Sequence, residues 1–306
     1  MTQPRLVLPG DTLMITRRTL RRHHLFRPDS RQIGCREKRR AHGNFACRRG
    51  HASLEPRAMR DRMARSLVTL DIDRSVATLT MDDGKRNALS PAMFDEIYAA
   101  LERVEREGAA VVITGREGVL SAGFDLKVMK SGGVQAVKML RAGYALTARL
   151  LSFPTPVVIA SPGHAYAMGA FMLLSGDYRF GVPGPYTYVA NEVAIGLPMP
   201  RVACEVLRLR LNPAARERAV ILSEQFSPDQ ALQVGFVDAL VPAERLLDEA
   251  RDKAAALLEL DPAAHALSKR RLRADTLRNI RTALPLDIKD AVMLGAKRAA
   301  KARLGR

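Results

Sequence analysis

The chain predicts an α/β fold: strands alternate with helices over most of its length and give way to an all-helical end. Three observations carry this. Residues 109–114 and 156–160 are short, continuous apolar runs, the pattern of strands buried on both faces. Around them apolar residues recur at helical spacing, so the period switches between strand and helix. From Leu246 onward the pattern stays helical, with no strand signal in the last fifty or so residues.

Val68 to Ile72 and Val76 to Met81 alternate apolar and polar residues across Asp73-Arg74-Ser75, which reads as a hairpin. Ser90 and Pro91 then supply an N-cap and a first-turn residue, and Phe94, Ile97, Leu101 and Val104 follow at helical spacing until Gly108. Ala109 to Thr114 is the first buried strand. Val134, Val137, Leu140, Tyr144, Ala148 and Leu151 mark a second amphipathic helix, Pro156 to Ala160 a second buried strand, and Ala167 to Leu174 a short apolar helix. Asp177 to Val182 is a further strand. Ser227-Pro228 opens a helix that Gly235 ends, and Phe236 to Val241 returns to strand. The resulting division is a basic N-terminal extension over 1–62, a core domain over 63–245 and a helical subdomain over 246–306. The helical end is expected to cover an active site or to pack on a neighbouring subunit.

The formal charge of +17 is unevenly placed. Residues 1–62 hold 16 of the 49 Lys/Arg but only 5 of the 32 Asp/Glu, so most of the excess lies in the extension. Its Arg36-Glu37-Lys38-Arg39-Arg40 run cannot build a core, and the segment shows no sustained period. It is read as a disordered extension outside the fold, of the kind translated upstream sequence gives, with Met63-Ala64-Arg65 placed as a natural start before the first strand. An arginine-rich organellar transit segment and a basic tail for nucleic acid or an acidic membrane are the competing readings. Without that segment the chain gives little reason to expect a nucleic-acid partner. Cys35 and Cys47, with His42 and His51 nearby, match no zinc-ligand spacing, and Cys204 stands alone in a helical stretch. No metal is expected. Few cysteines and no apolar run of membrane-spanning length lead to the expectation of a cytoplasmic protein that does not bind membranes.

Two glycine-containing turns carry the chemistry: Ser121-Ala122-Gly123-Phe124-Asp125-Leu126-Lys127 and Gly163-His164-Ala165-Tyr166-Ala167-Met168-Gly169-Ala170. Each lies where an apolar strand yields to a helix start, so each can aim a free backbone N–H into one cleft. Two such donors form an oxyanion hole, which points to chemistry beside a carbonyl.

With these pieces in place the chain resembles the crotonase superfamily, the enoyl-CoA hydratase/isomerase family, from about Val68 to Pro242. The pieces follow in family order: Lys85 to Leu89, Ser121 to Lys127, Pro154-Thr155-Pro156, Gly163 to Asp177, Asn191-Glu192 before Ile195-Gly196-Leu197, and Ala231 to Pro242. The resemblance implies a crotonase-like fold of repeated strand-strand-helix units, trimers or pairs of trimers, and a coenzyme A thioester whose carbonyl is held by two backbone amides. Those amides map onto Phe124 and Met168. Arg86, Asn87, Ala88, Leu89, Ala122, Gly123, Asp125, Leu126, Lys127, Gly169 and Phe171 map onto substrate-binding positions, with Lys127 and residues 86–89 toward the adenosine end. Coenzyme A belongs to the substrate, so no separate cofactor is implied. Met168 stands where the family usually has a glycine, which puts the φ freedom of that site in question. His164 is read as lining or packing the turn.

Family hydratases use two glutamates. The first maps onto Phe171, or onto Ala170 with a one-residue slip, and the second onto Glu192. A single carboxylate in an apolar pocket is expected to have a raised pKa, suited to removing a proton from C2 and returning it at C4. The expected function is therefore enoyl-CoA double-bond isomerisation, or atypical hydration, with Glu192 as the base. Another crotonase reaction, such as thioester hydrolysis or C–C cleavage, and a non-catalytic acyl-CoA- or RNA-binding role are the alternatives.

Overall fold

The computed structural model describes residues 66–304. The basic extension, its cysteines and histidines, and Met63-Ala64-Arg65 lie outside the described residues. Strand β1 (Val68–Asp73) pairs antiparallel with β2 (Val76–Met81), Asp73 opposite Val76, so the hairpin loop is Arg74-Ser75. Both loop residues have positive φ, 47° and 81°, the backbone twist that matches a two-residue turn to twisted strands. Helix α1 (Pro91–Glu107) follows: Ser90 Oγ accepts from the Met93 N–H, and Gly108 closes the helix at φ 64°. Phe94, Ile97, Leu101 and Val104 are all buried, as their spacing requires.

A strand-strand-helix unit then repeats. The first unit is β3 (Ala110–Thr114), β4 (Gly118–Ser121), α2 (Leu126–Ser131) and α3 (Gly133–Leu151). The second is β5 (Val157–Ala160), β6 (Gly163–Tyr166) and α4 (Met168–Leu174), and the third opens with β7 (Tyr178–Gly181) and β8 (Tyr188–Val189). In each unit the first strand joins a six-stranded sheet, order β1-β2-β3-β5-β7-β9, and the second joins a three-stranded sheet, order β4-β6-β8. Beyond the β1–β2 hairpin every pairing is parallel. The chain continues through α5 (Arg201–Arg210), α6 (Pro213–Ile221), α7 (Pro228–Val234), β9 (Ala239–Leu240), α8 (Leu246–Leu257), α9 (Pro262–Leu272) and α10 (Ala274–Leu304).

Three expectations change. The segment from Gly163, read as a turn, is strand β6 up to Tyr166, and the turn itself contracts to Ala167. The strand expected over Phe236 to Val241 shrinks to Ala239–Leu240, because Phe236 and Val237 are buried in the core while the chain is still leaving α7. The stretch between Glu192 and Ser227 holds two helices, of which the sequence reading marked only the helical stretch around Cys204.

The main core lies between the sheets and helices α1, α3, α4 and α5, while α8 covers the opposite face of the large sheet. There Leu246, Ala250 and Ala254 pack with Val112, Val158 and Phe180. A buried ion cluster anchors the helices beyond α8. Asp177 Oδ2 lies 2.6 Å from Lys269 Nζ, Asp177 Oδ1 lies 2.8 Å from Arg273 Nη1, and Asp177 also accepts the Val157 N–H at 2.8 Å. Burial pushes the Lys269 ammonium down to about 8, against the pull of Asp177. Arg273 Nη1 reaches Leu151 O as well, at 3.0 Å, so the α9–α10 junction is pinned to the end of α3 and to the starts of β5 and β7. Among the described residues no helix is long and apolar enough to cross a membrane.

Candidate active site

The two turns singled out in the sequence interlock. A Cβ on Gly169 would sit 2.6 Å from Ser121 O and 2.8 Å from Ser121 Cβ. One on Gly123, whose φ is 84°, would sit 3.0 Å from Tyr166 O and 3.4 Å from Met168 N. Each turn therefore needs a glycine because the other's backbone occupies the space.

Asn87 holds the first turn from beneath. It is fully buried at φ 51°, its Nδ2 donates to Met81 O at 2.9 Å and Leu120 O at 3.2 Å, and its Oδ1 accepts the Asp83 N–H at 3.0 Å. Ser121 Oγ donates to Asn87 O at 2.7 Å and accepts the Gly123 N–H at 3.1 Å. Leu89 and Phe124 then form a parallel bridge: Leu89 N–H bonds Gly123 O at 2.8 Å, and Asp125 N–H bonds Leu89 O at 3.2 Å. This register leaves the Phe124 N–H outside the ladder. On the second turn, Ala167 N–H bonds Val189 O at 2.8 Å and Ala167 O accepts the Phe171 N–H at 3.0 Å. Met168 is the first residue of α4, so its N–H has no acceptor within the helix. Among the described residues, two amides without a backbone acceptor thus lie on interlocked turns.

The concern over φ at Met168 is misplaced by one residue. Met168 is helical, and the unusual backbone belongs to Ala167, at φ 48° and ψ −122°. The interlock with Gly123 and the Ala167–Val189 hydrogen bond fix that conformation, and alanine endures it because its side chain is a single methyl.

Glu192 follows β8 by three residues and begins a 3-10 turn over Val193–Ile195. Because Val189 accepts the Ala167 N–H, the chain carrying Glu192 leaves the small sheet beside the second turn. The carboxyl is 6% exposed and its Oε2 has no hydrogen-bond partner among the described residues. Burial raises its pKa from 4.5 to about 7, with only its own backbone N–H opposing. Phe171, onto which the resemblance maps the family's first glutamate, is 1% exposed and part of the apolar core.

A cleft of about 530 Å³ adjoins these elements, lined by Arg86, Glu117, Gly118, Val119, Ala122, Leu126, His164, Tyr166 and Asn191. Arg86, Leu126 and Ala122 are therefore placed where a ligand would pass. Lys127 is exposed beside them, Asp125 caps α2 by accepting the Lys127 N–H at 2.7 Å, and Ala88 is half-buried. Asn87 is a correction: its amide is consumed within the fold and has nothing to offer a ligand. Leu89, Gly123 and Gly169 act through the backbone or by permitting contact. His164 contributes more than turn packing. Its Nδ1 accepts the Thr187 N–H at 3.0 Å, which fixes the Nε2–H tautomer, and burial together with the Arg86 charge lowers its pKa. Tyr166, Asn191 and Glu117 were not singled out in the sequence, since nothing local distinguishes a cleft residue from a neighbour facing the core.

Comparison with known proteins identifies the family. The family model described as "Enoyl-CoA hydratase/isomerase" matches residues 71–302. The chain belongs to the enoyl-CoA hydratase/isomerase family. It is 30% identical over 238 residues to the human mitochondrial enoyl-CoA delta isomerase 1, covering 76% of this chain and 79% of that protein. Among solved structures, an enoyl-CoA hydratase from Mycobacterium ulcerans is similar at 43% identity and TM-score 0.71, covering 74% of this chain and 99% of that one. The human mitochondrial delta3-delta2-enoyl-CoA isomerase is similar at 29% identity and TM-score 0.73, covering 76% of this chain and 93% of that one. Membership accounts for the strand-strand-helix repeats and the helical C-terminal region.

Two outcomes test the site's geometry. Ala167→Gly should leave the fold intact and raise stability by about 1 kcal/mol, the relieved backbone strain exceeding the entropy that glycine loses on folding; Ala167→Val should destabilise. Thermal unfolding of both variants measures this, and a destabilised glycine variant would count against strain at Ala167. The raised pKa of Glu192 means the folded state keeps a proton that the unfolded chain releases. Its contribution to stability is therefore full below pH 4.5 and is lost as pH rises to about 7. Glu192→Gln should match the wild type at pH 4 and exceed it at pH 8, by up to about 3 kcal/mol. Parallel pH dependences for the two proteins would contradict the burial of this charge.

Proposed function

We propose that this family member moves the double bond of a 3-enoyl-CoA to the 2 position, with Glu192 as its single base. The observation that carries the reading is the solitary buried carboxyl at Glu192 beside two available amides, with Phe171 in place of a second acid. The thioester carbonyl oxygen accepts the Phe124 and Met168 N–H groups. Glu192 takes a proton from C2, and the electron pair of that C–H bond moves toward the carbonyl, giving a dienolate whose oxygen charge the amides hold. The protonated carboxyl then returns the proton at C4, and the double bond is left between C2 and C3. Losing one amide donor of this kind costs on the order of 3 kcal/mol of transition-state stabilisation. The apolar wall of Phe171 and Phe124 keeps water from competing for the dienolate. Arg86, Leu126 and Lys127 follow the coenzyme A arm outward along the cleft, and coenzyme A arrives as part of the substrate, so the scheme uses no resident cofactor. Similarity to the human isomerase supports this reading.

Hydration of 2-enoyl-CoA is the second reading, favoured by the 43%-identical neighbour named an enoyl-CoA hydratase. Assays of the full chain on 3-enoyl-CoA and 2-enoyl-CoA separate the two. Isomerisation should dominate, its kcat/KM falling below an acidic limb near pH 7, and Glu192→Gln should lower it by about 10² to 10⁴-fold. Undiminished activity in Glu192→Gln would remove Glu192 as the base, and acyl-CoA binding without either reaction would remove the catalytic reading.

A trimer or a pair of trimers is proposed as the working assembly. Its support is the apolar surface of Val193, Ile195, Ile221 and Leu222, which are 42 to 68% exposed and drawn together by the Ala194 N–H to Ser223 Oγ bond. A sedimentation mass of three or six subunits is expected, and a single-subunit mass at micromolar concentration would overturn it. The cytoplasm is the proposed compartment, supported by the scarcity of cysteine in the sequence.

A further inference from the structure

Among the residues lining the cleft, His164 alone carries an imidazole, and the fold uses only half of it. Its Nδ1 accepts the Thr187 N–H at 3.0 Å, while Nε2 has no partner among the described residues. The ring meets that of Tyr166 at 5.6 Å and that of Tyr186 edge-on at 5.4 Å, which restricts its rotation. The backbone beneath is fixed as well: His164 pairs with Val119 of β4, and the next residue's N–H bonds Thr187 O at 3.0 Å. With Nδ1 occupied as an acceptor, the neutral ring must carry its proton on Nε2. A rigid N–H donor therefore stands on the cleft wall.

Two observations narrow what it could meet. Burial and the Arg86 charge lower the His164 pKa, and protonation would set an N–H at Nδ1 against that of Thr187, so the ring stays uncharged. A neutral donor suits a neutral carbonyl, whereas Arg86 on the same cleft suits a phosphate. The second observation is position along β6. His164 precedes Ala167 by three residues, roughly 10 Å of strand before the turn that carries the Met168 amide. In a coenzyme A thioester the second amide carbonyl of the pantetheine arm lies about nine bonds from the thioester carbonyl, roughly 11 Å at full extension. The first amide carbonyl, about five bonds away, is too near, and the first phosphorus, about fourteen bonds away, is too far.

We propose that His164 is a substrate-binding residue that donates from Nε2 to the second amide carbonyl of the pantetheine arm. This rests on the reading of the ligand as an acyl-CoA whose carbonyl meets the Phe124 and Met168 amides. Because β6 leads directly into the second turn, a bond at His164 sets the distance from arm to turn and delivers the thioester in register with those amides.

Two substitutions divide the ring's functions. His164→Asn puts an oxygen where Nδ1 stood, keeping an acceptor for Thr187 but no donor at the outer position; His164→Gln puts an amide nitrogen where Nε2 stood and gives up the acceptor. Calorimetric Kd values for butanoyl-CoA and S-butanoyl-pantetheine, saturated thioesters that need no turnover, read the result. The asparagine variant should bind both esters about five- to tenfold more weakly, the worth of one neutral hydrogen bond, and the glutamine variant should stay within about threefold of the wild type while melting at a lower temperature. A loss confined to butanoyl-CoA would move the contact to the nucleotide, and equal losses in the two variants would assign His164 to the fold; either overturns the proposal. The wild type supplies a test that no folding defect can spoil: the 15N resonance of His164 Nε2 should move on saturation with S-butanoyl-pantetheine, and an unmoved resonance would overturn it. A wild type that binds neither ester removes the acyl-CoA reading and this proposal with it. A wild type that binds both, with an asparagine variant equal to it, removes the role of His164 alone.

Discussion

The close approach of two backbone segments, Gly169 against Ser121 and Gly123 against the Tyr166–Met168 turn, is the constraint on which the rest of the site depends. Side chains can repack around a substitution, but backbone atoms held by two sheets have little freedom to withdraw. Asn87 fixes one segment from below through bonds to Met81 and Leu120, and the β6–β8 pairing fixes the other through Val189. The free amides of Phe124 and Met168 are consequences of that arrangement. One lies beside a strand bridge and the other at a helix start, so different local rules orient them, and only the contact between the turns makes them a pair.

The fold was legible wherever a period could develop. Helix α1 announced itself through Ser90, Pro91 and four apolar residues, and β3 and β5 through unbroken apolar runs. The strands of the small sheet were not legible, because Gly118–Ser121, Gly163–Tyr166 and Tyr188–Val189 are too short to show alternation and owe their conformation to one another. At the site, the sequence located both turns and the glutamate, since these sit in ordered local motifs. It misassigned the backbone demand to Met168 because spacing cannot say which residue of a turn carries the positive φ. The family pattern offered Asn87 to a ligand, and its partners at Met81 and Leu120, the latter far along the chain, could not be read from the sequence.

Behind the site the sheet is clad by α8, and the ions around Asp177 join the later helices to β5 and β7. Such a cluster is costly to desolvate and gives little net stability, but removing one member leaves an unpaired buried charge. It therefore ties the order of the C-terminal helices to the order of the central strands. Asp287 extends the tie from α10 to the start of α5, the helix that follows the Glu192 turn.

A carboxyl whose acidity lies near neutrality suits both halves of a proton shuttle. Burial raises the Glu192 pKa to about 7, so the ionised form is basic enough to take a proton and the protonated form acid enough to give it back. On the isomerase reading the two directions start from the same ionised carboxylate, which removes a proton from C2 of one isomer or from C4 of the other. The relative abundance of the two thioesters therefore decides which way the double bond travels.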